Sequence, residues 1–328
     1  MTTNIEAFDN TRLTEFKSCP RKYYFRHVMG WVPDKRRTPL IFGSAWHKAM
    51  EEVWADTCVH RVRDKGQVLR GGLKAFMTEW QAHGMPEVLS YDEEQNFAPR
   101  TPGVAHEMLA NYIDKRWLMM ISPETELLHV EKSFKVALNP ERTRFYVGLI
   151  DKIIMQRGRI YSIEHKTTTA YRKGGPFRDI FTDSFSPNSQ VDGYAFALHI
   201  LFPGRVGGIW VDAALVHKSE DGVMIIPVER QREQLDGWLW ETHYWISNIA
   251  QNMTLLADVK PEDRYMHAFP KQTGNCFNFN AACEYIDLCK AWSNPVGKPM
   301  PLGFREEPWN PLDRVNAQTL EDIEEVAS

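Results

Sequence analysis

The stretch GLIDKIIMQRGRIYSIEHKT, residues 148–167, decides how this chain is read. Two runs rich in β-branched and aromatic residues flank Arg157-Gly158, a tight-turn pair, and predict a β-hairpin. Side chains alternate along a strand, so Glu164 and Lys166 share one face with Ser162, while Ile163 and His165 take the other. Asp151, near the end of the neighbouring strand, can bring its carboxylate onto Glu164. Two carboxylates placed together repel unless a cation lies between them, and hard oxygen donors suit Mg2+ or Mn2+. Such an ion lowers the pKa of bound water and stabilises charge on a phosphoryl oxygen, with Lys166 one pleat along to orient the water or the phosphate. The alternative is an exposed hairpin whose Glu/Lys pair contributes little.

Three neighbouring features bear on that choice. Gly148 lies three residues before Asp151, giving G-x-x-D. Downstream, Gln190 and Tyr194 form Q-x-x-x-Y, one turn apart on one helix face. Upstream, FGSAWHKAMEE puts His47 at the edge of a helix whose apolar stripe is Trp46, Ala49, Met50, Val53 and Trp54, with Ser44 as the expected N-cap. A lone His is more often structural, but imidazole is a good third metal ligand.

Working outward, residues 11–28 read as two short helices broken near Pro20, and residues 66–120 hold further helical patterns. LLHVEKSFKVAL precedes the hairpin as a strand, and a polar loop follows it over residues 168–186. A helix is expected from Pro187, capped by Ser186, then strands GGIWVDAALVHK and VMIIPVE, then a long amphipathic helix from Gln231 to Met253. The order predicts a mixed α/β core decorated with helices. We divide a single domain of residues 1–328 into N-terminal helices (1–54), a helical insert or cap (55–125), a catalytic α/β core (126–255), a cysteine region (256–300) and an acidic tail (301–328).

Composition is that of a globular protein, 43% hydrophobic and 25% charged. The first residues lack a basic-then-apolar signal, and no apolar run is long enough to cross a bilayer, so a cytoplasmic protein without membrane association is the expectation. Net charge is −4, which argues against a general nucleic-acid coat. Residues 12–37 nonetheless carry eight Lys/Arg against two acids, and residues 141–178 nine against three. These zones are either solvated surface or a local phosphate-binding groove. Arg21, Lys22 and Arg26 lie in the first, and Arg172, Lys173 and Arg178 in the second, the latter within YRKGGPFRD. Tyr171 and Phe177 are interleaved there and could stack on bases; a mobile surface loop is the equal alternative.

Five cysteines, an odd number, speak against a disulfide framework. Cys276, Cys283 and Cys289 form C-x6-C-x5-C, and Cys19 is more than two hundred residues away. No C-x2-C knuckle favours zinc, and four thiolates hold a [4Fe–4S] cube; buried unligated cysteines are the bland alternative.

The ordered set resembles the PD-(D/E)XK nuclease superfamily, and within it the RecB-type exonuclease branch. It stands here as Gly43-Ser44-Ala45-Trp46-His47, Gly148-Leu149-Ile150-Asp151, Glu164-His165-Lys166 and Gln190-Val191-Asp192-Gly193-Tyr194. The resemblance implies a restriction-endonuclease-like α/β core, with a central mixed sheet flanked by helices. It implies metal ligands His47, Asp151, Glu164 and the His165 carbonyl, and Lys166 as the catalytic lysine, turned to the phosphate or water rather than to Glu164. Gln190 and Tyr194 would support the site or touch DNA, Glu131 matches a further acidic position, and Glu51 is a solvated helix acid or a support. CPRKYYF with three later cysteines is similar to the iron–sulfur variant of that branch, in which Cys19, Cys276, Cys283 and Cys289 would ligate a [4Fe–4S] cluster closing the domain ends. That variant often has C-x2-C within its triplet, and this chain does not; Cys58 has no role in the scheme. The implied activity is Mg2+- or Mn2+-dependent DNA exonuclease action in recombination, repair or replication of a bacterium or phage, with a possible partner protein. A flap endonuclease or a non-catalytic DNA-binding subunit are the alternatives.

Overall fold

The computed structural model describes residues 5–35, 37–278 and 281–322. Along the chain, β1 (Glu6–Phe8), α1 (Asn10–Ser18), α2 (Pro20–Tyr23) and β2 (Trp31–Pro33) come first. Four helices follow: α3 (Thr38–Trp54), α4 (Lys65–Ala82), α5 (Tyr91–Phe97) and α6 (Pro102–Met120). The meander is β3 (Thr125–Ala137), β4 (Arg144–Gln156) and β5 (Arg159–Thr168). Then come α7 (Asp179–Asp183), α8 (Ser189–Leu201), β6 (Val206–Leu215), β7 (Val223–Val228) and α9 (Arg232–Ala257). The last elements are β8 (Phe277–Asn278), β9 (Ala281–Ala282), α10 (Ile286–Ala291), β10 (Phe304–Glu306) and β11 (Leu320–Glu321).

The main sheet is mixed, in the order β11-β3-β4-β5-β6-β7, with β1 parallel to the start of β4. β4 and β5 are antiparallel, joined at Arg157 (φ 49°) and Gly158 (φ 78°), the two left-handed positions a two-residue hairpin needs. β5 and β6 are parallel, so the chain must cross over between them, and α8 is that crossover.

The described residues divide into two compact units, with the boundary inside β4 between Gly148 and Leu149, where the sequence reading assigned one domain. The second unit comprises 37–136, 149–231 and 317–322. In it Trp46, Met50 and Trp54 of α3 pack with Phe76 and Trp80 of α4, Leu109 of α6, and Ile154 and Ile163 of the hairpin. Residues 55–125 therefore share one core with the sheet. α3 begins a turn and a half before the expected cap: Pro39 sits in its first turn, and Ser44, mid-helix, donates to Glu79. α8 begins later than expected, because the Asn188 side chain, not Ser186, accepts from the free N–H groups of Gln190 and Val191.

The first unit comprises 5–35, 137–148 and 232–316. Its interior is aromatic: Tyr23 stacks on Phe269 at 5.9 Å, and Phe25 on Tyr285 at 5.4 Å. β2 pairs β10, and the Tyr285 hydroxyl donates to the Trp31 carbonyl at 2.7 Å. No described helix is long and apolar enough to cross a membrane.

Candidate active site

In the second unit the register Lys152↔Ile163 sets Asp151 one step further along, beside Glu164. Both carboxylates are buried, at 6% and 3% exposure. The hairpin therefore cannot be the solvated pair of the bland reading. His47, at the half-buried edge of α3, places Nδ1 3.2 Å from Asp151 Oδ2. The backbone N–H of His165 donates to the same oxygen at 2.8 Å. Burial works against a charge on Asp151, but His47, by charge and hydrogen bond, outweighs it and holds the carboxyl well below its ordinary range. Reciprocally, burial opposes an imidazolium at His47, and Asp151 overcomes it, so the His47 pKa rises.

Glu164 is pushed the other way, first by burial and then by Asp151, and Lys166 does not cancel the rise. Lys166 Nζ donates to Glu164 Oε1 at 2.7 Å and to Gln190 Oε1 at 3.1 Å. Lys166 thus does pair with Glu164, against the expectation. Gln190 Nε2 donates to the same Glu164 oxygen at 2.9 Å, and the Tyr194 hydroxyl donates to the Leu149 carbonyl at 2.9 Å. The Q-x-x-x-Y pair of α8 therefore braces β4 and β5. Arg230 in turn anchors the start of α8, donating to Asp192, Ser186 and the Phe185 carbonyl.

Glu131 completes the cluster from β3. Its residue takes φ 44°, a left-handed conformation that is uncommon outside glycine. Burial, then Asp151, pushes its carboxyl up to about 7. Among the described residues, His47, Glu131 and Asp151 form the one group of His, Cys, Asp or Glu ligand atoms all within 4.8 Å of one another. Glu131 Oε1 and Glu164 Oε2 are buried without a hydrogen-bond partner. Orphaned carboxylate oxygens beside an ionised Asp151 are the donor set a hard divalent cation satisfies, so the residues fit Mg2+ or Mn2+. The His165 ring points to the opposite face, fully buried, 5.8 Å from the Tyr112 ring and edge-on to the His47 ring at 6.4 Å, while its backbone N–H reaches Asp151.

That opposite face holds a polar network invisible in the sequence. Arg116 Nη2 of α6 meets Asp212 Oδ1 of β6 at 2.6 Å, and Arg116 Nε donates to both Asp212 oxygens. The Tyr112 hydroxyl donates to Asp212 Oδ2 at 2.8 Å and accepts from Trp54 Nε1 at 2.9 Å. Asp212 is paired in register with His165, so the network backs the strand that carries Glu164 and Lys166. Lys152 lies fully buried on this face, its pKa lowered by burial.

In the first unit the four cysteines named above are half-buried thiols in no disulfide. Gln272 N donates to Cys19 Sγ at 3.4 Å, and Asn275 donates to the Ser18 carbonyl. Cys283 N donates to the Cys276 carbonyl at 2.8 Å, and Lys271 Nζ to that of Cys289 at 2.6 Å. The triplet and Cys19 are thereby brought to one region, although no three of their sulfurs approach within 4.8 Å. The four thiols therefore come from two distant segments and are free in this structure. Cys58 is elsewhere, donating to the Met120 carbonyl, its thiol pushed up to about 11 by burial.

The basic residues are mostly engaged. Arg21 is buried at 3% exposure, so it offers no surface to DNA, and Lys22 pairs with Glu15 and Glu284. Arg172 is spent on Asp179, and Arg178 donates to the Tyr171 carbonyl. Phe177 is packed among Ala213 and Leu215 rather than presented to bases. Tyr171 lies against the His217 ring, and Lys173 is exposed.

Acid beside acid, with a lysine two residues on and a bracing Gln, in a mixed sheet flanked by helices, is the arrangement of a phosphodiester-cleaving hydrolase. Residues 10–290 match the family model of the PD-(D/E)XK nuclease superfamily, and the chain belongs to that superfamily. No curated protein matches the chain.

Proposed function

We propose that this chain is a Mg2+- or Mn2+-dependent DNA exonuclease of the RecB-type branch, carrying a structural [4Fe–4S] cluster. The carrying observation is the buried cluster in which His47, Asp151, Glu164, Lys166 and Gln190 meet, two carboxylate oxygens around it lacking any partner. His47, Asp151 and Glu164 would hold the ion, with Glu131 as a further donor. Bound there, the ion supplies a lowered pKa for water and charge for a phosphoryl oxygen.

The chain's own groups do the rest. Lys166 stays cationic, because Glu164 and Asp151 outweigh the burial that opposes its charge, and it presents a fixed ammonium to the phosphate. Gln190 holds that ammonium and Glu164 in one geometry. The His165 N–H keeps Asp151 turned inward. Cys19, Cys276, Cys283 and Cys289 would take the cluster, which supplies a cross-link between two distant segments of the first unit.

Linear and circular DNA, single- and double-stranded and end-labelled, incubated with Mg2+, Mn2+ or EDTA, tests the reading. Metal-dependent loss of terminal nucleotides from linear DNA alone is expected. Cleavage of closed circles makes the chain an endonuclease, and no cleavage with any metal overturns catalysis.

A further inference from the structure

Arg21 follows Cys19 by two residues and is 3% exposed, a placement that arginine takes only when its charge is compensated. Its Nε donates to the Phe269 carbonyl at 3.0 Å, and its backbone N–H meets the Pro270 carbonyl at 3.3 Å. Phe269 holds φ 50°, a left-handed conformation, where its carbonyl meets the guanidinium. The same segment continues to Lys271 and Gln272, which reach the Cys289 carbonyl and Cys19 Sγ. Arg21 is therefore clamped to the peptide that gathers the cysteines.

Two observations show what its charge faces. Arg21 Nη1 is buried and has no hydrogen-bond partner. Burial works against the charge, the ionisable side chains that act on the guanidinium are Cys289, Cys19 and Tyr24, and no carboxylate stands among them. The neighbouring cation, Lys22, is taken by Glu15 and Glu284 and cannot serve in its place. A buried guanidinium with a spare N–H, beside thiols and away from acids, is a donor awaiting a sulfur acceptor.

We propose that Arg21 is the internal countercharge of the four-cysteine site, its spare Nη1–H donating to the sulfur of Cys19 or Cys289 in the cluster-loaded protein. This rests on the iron–sulfur reading above. Four thiolates make the site net negative, and each added electron makes it more so. A fixed cation and an N–H donor at a ligand sulfur favour the reduced state and raise the reduction potential. Arg21 acts through the cysteines and touches neither DNA nor the acidic site.

The test uses the full chain, reconstituted anaerobically with iron and sulfide, as wild type, Arg21→Met and Arg21→Lys. Iron and sulfide content, visible absorption and the reduction potential are read, and folding is followed by circular dichroism. Arg21→Met is expected to shift the potential to more negative values, with Arg21→Lys between it and wild type. Should Arg21→Met fold but lose its iron while Arg21→Lys keeps it, the countercharge is supported as well. Equal potentials in wild type and Arg21→Met at equal iron content overturn the proposal and leave the cluster reading standing. Equal iron loss in both variants also overturns it, making the residue a packing clamp on Phe269. A wild-type chain that takes up no iron or sulfide overturns the cluster reading and this inference together.

Discussion

The two units hold their candidate ligand residues by opposite means. In the second, His47, Glu131, Asp151, Glu164 and Lys166 sit on a helix and three strands, and hydrogen bonds from Gln190 and His165 hold them. In the first, Cys19, Cys276 and Cys283 flank short elements and Cys289 lies within α10, and the Gln272 N–H, the Lys271 ammonium and the Cys276 carbonyl contact them. Asp151 and Glu164 are nearly sealed from solvent, whereas the thiols are half-buried. Hard oxygen donors need their charges held together against repulsion, so rigid strands suit them. Thiol groups carry no comparable repulsion, so short elements and loops can hold several of them in one region.

That contrast is sharpest in a pair of substitutions. Lys166→Ala is expected to lower the cleavage rate about 10^2–10^3-fold, the scale of a lost charge-stabilising donor, while leaving iron content at the wild-type level. Cys19→Ser should reverse the pattern, losing iron while measurable cleavage remains. Iron lost from Lys166→Ala would break the separation of the two clusters.

Next in size is the network behind the catalytic strand. Asp212→Ala leaves Arg116 half-buried without its carboxylate and removes the acceptor of Tyr112. It should destabilise the protein by about 3–5 kcal/mol, read as a lowered urea midpoint. A wild-type midpoint would mean that the sheet does not depend on this pair.

Smaller still is Glu131→Gln, which keeps the shape of the side chain and removes a donor charge from the trio around Asp151. Mg2+ affinity, titrated by cleavage rate and by calorimetry, is expected to fall roughly 10–100-fold. An unchanged affinity would remove Glu131 from the site and leave the ion to His47, Asp151 and Glu164.

The smallest effect belongs to Cys58. Its thiol, raised to about 11 by burial, stays protonated at pH 8, so iodoacetamide should modify it slowly in the folded protein. Cys58→Ala should keep iron content and cleavage, with a stability cost of about 1 kcal/mol. Iron loss in this variant would add Cys58 to the cluster scheme.

Much of the second unit's cluster was legible. Period-two alternation placed Glu164 and Lys166 together, Arg157-Gly158 marked the hairpin, and Gln190 and Tyr194 declared themselves by helical spacing. What failed were caps and partners. Ser44 and Ser186 look like helix caps locally, but α3 begins earlier at Thr38, with Pro39 in its first turn and no capping side chain, and Asn188 caps α8. The bond of Tyr112 to Asp212 joins residues a hundred positions apart, and no local period announces it. Arg21 shows the same limit: a basic residue in a basic run reads as surface until the fold closes over it.

By itself, then, the sequence determined the strand and helix order, the side chains that share each face, and the hard and soft donors available to each cluster. Those follow from backbone periodicity and residue chemistry, which are local. Only the tertiary structure decided that Lys166 pairs with Glu164, that Glu131 joins His47 and Asp151, and that Arg21 turns inward beside the cysteines. Each depends on burial, and burial is set by packing against segments far away in the chain.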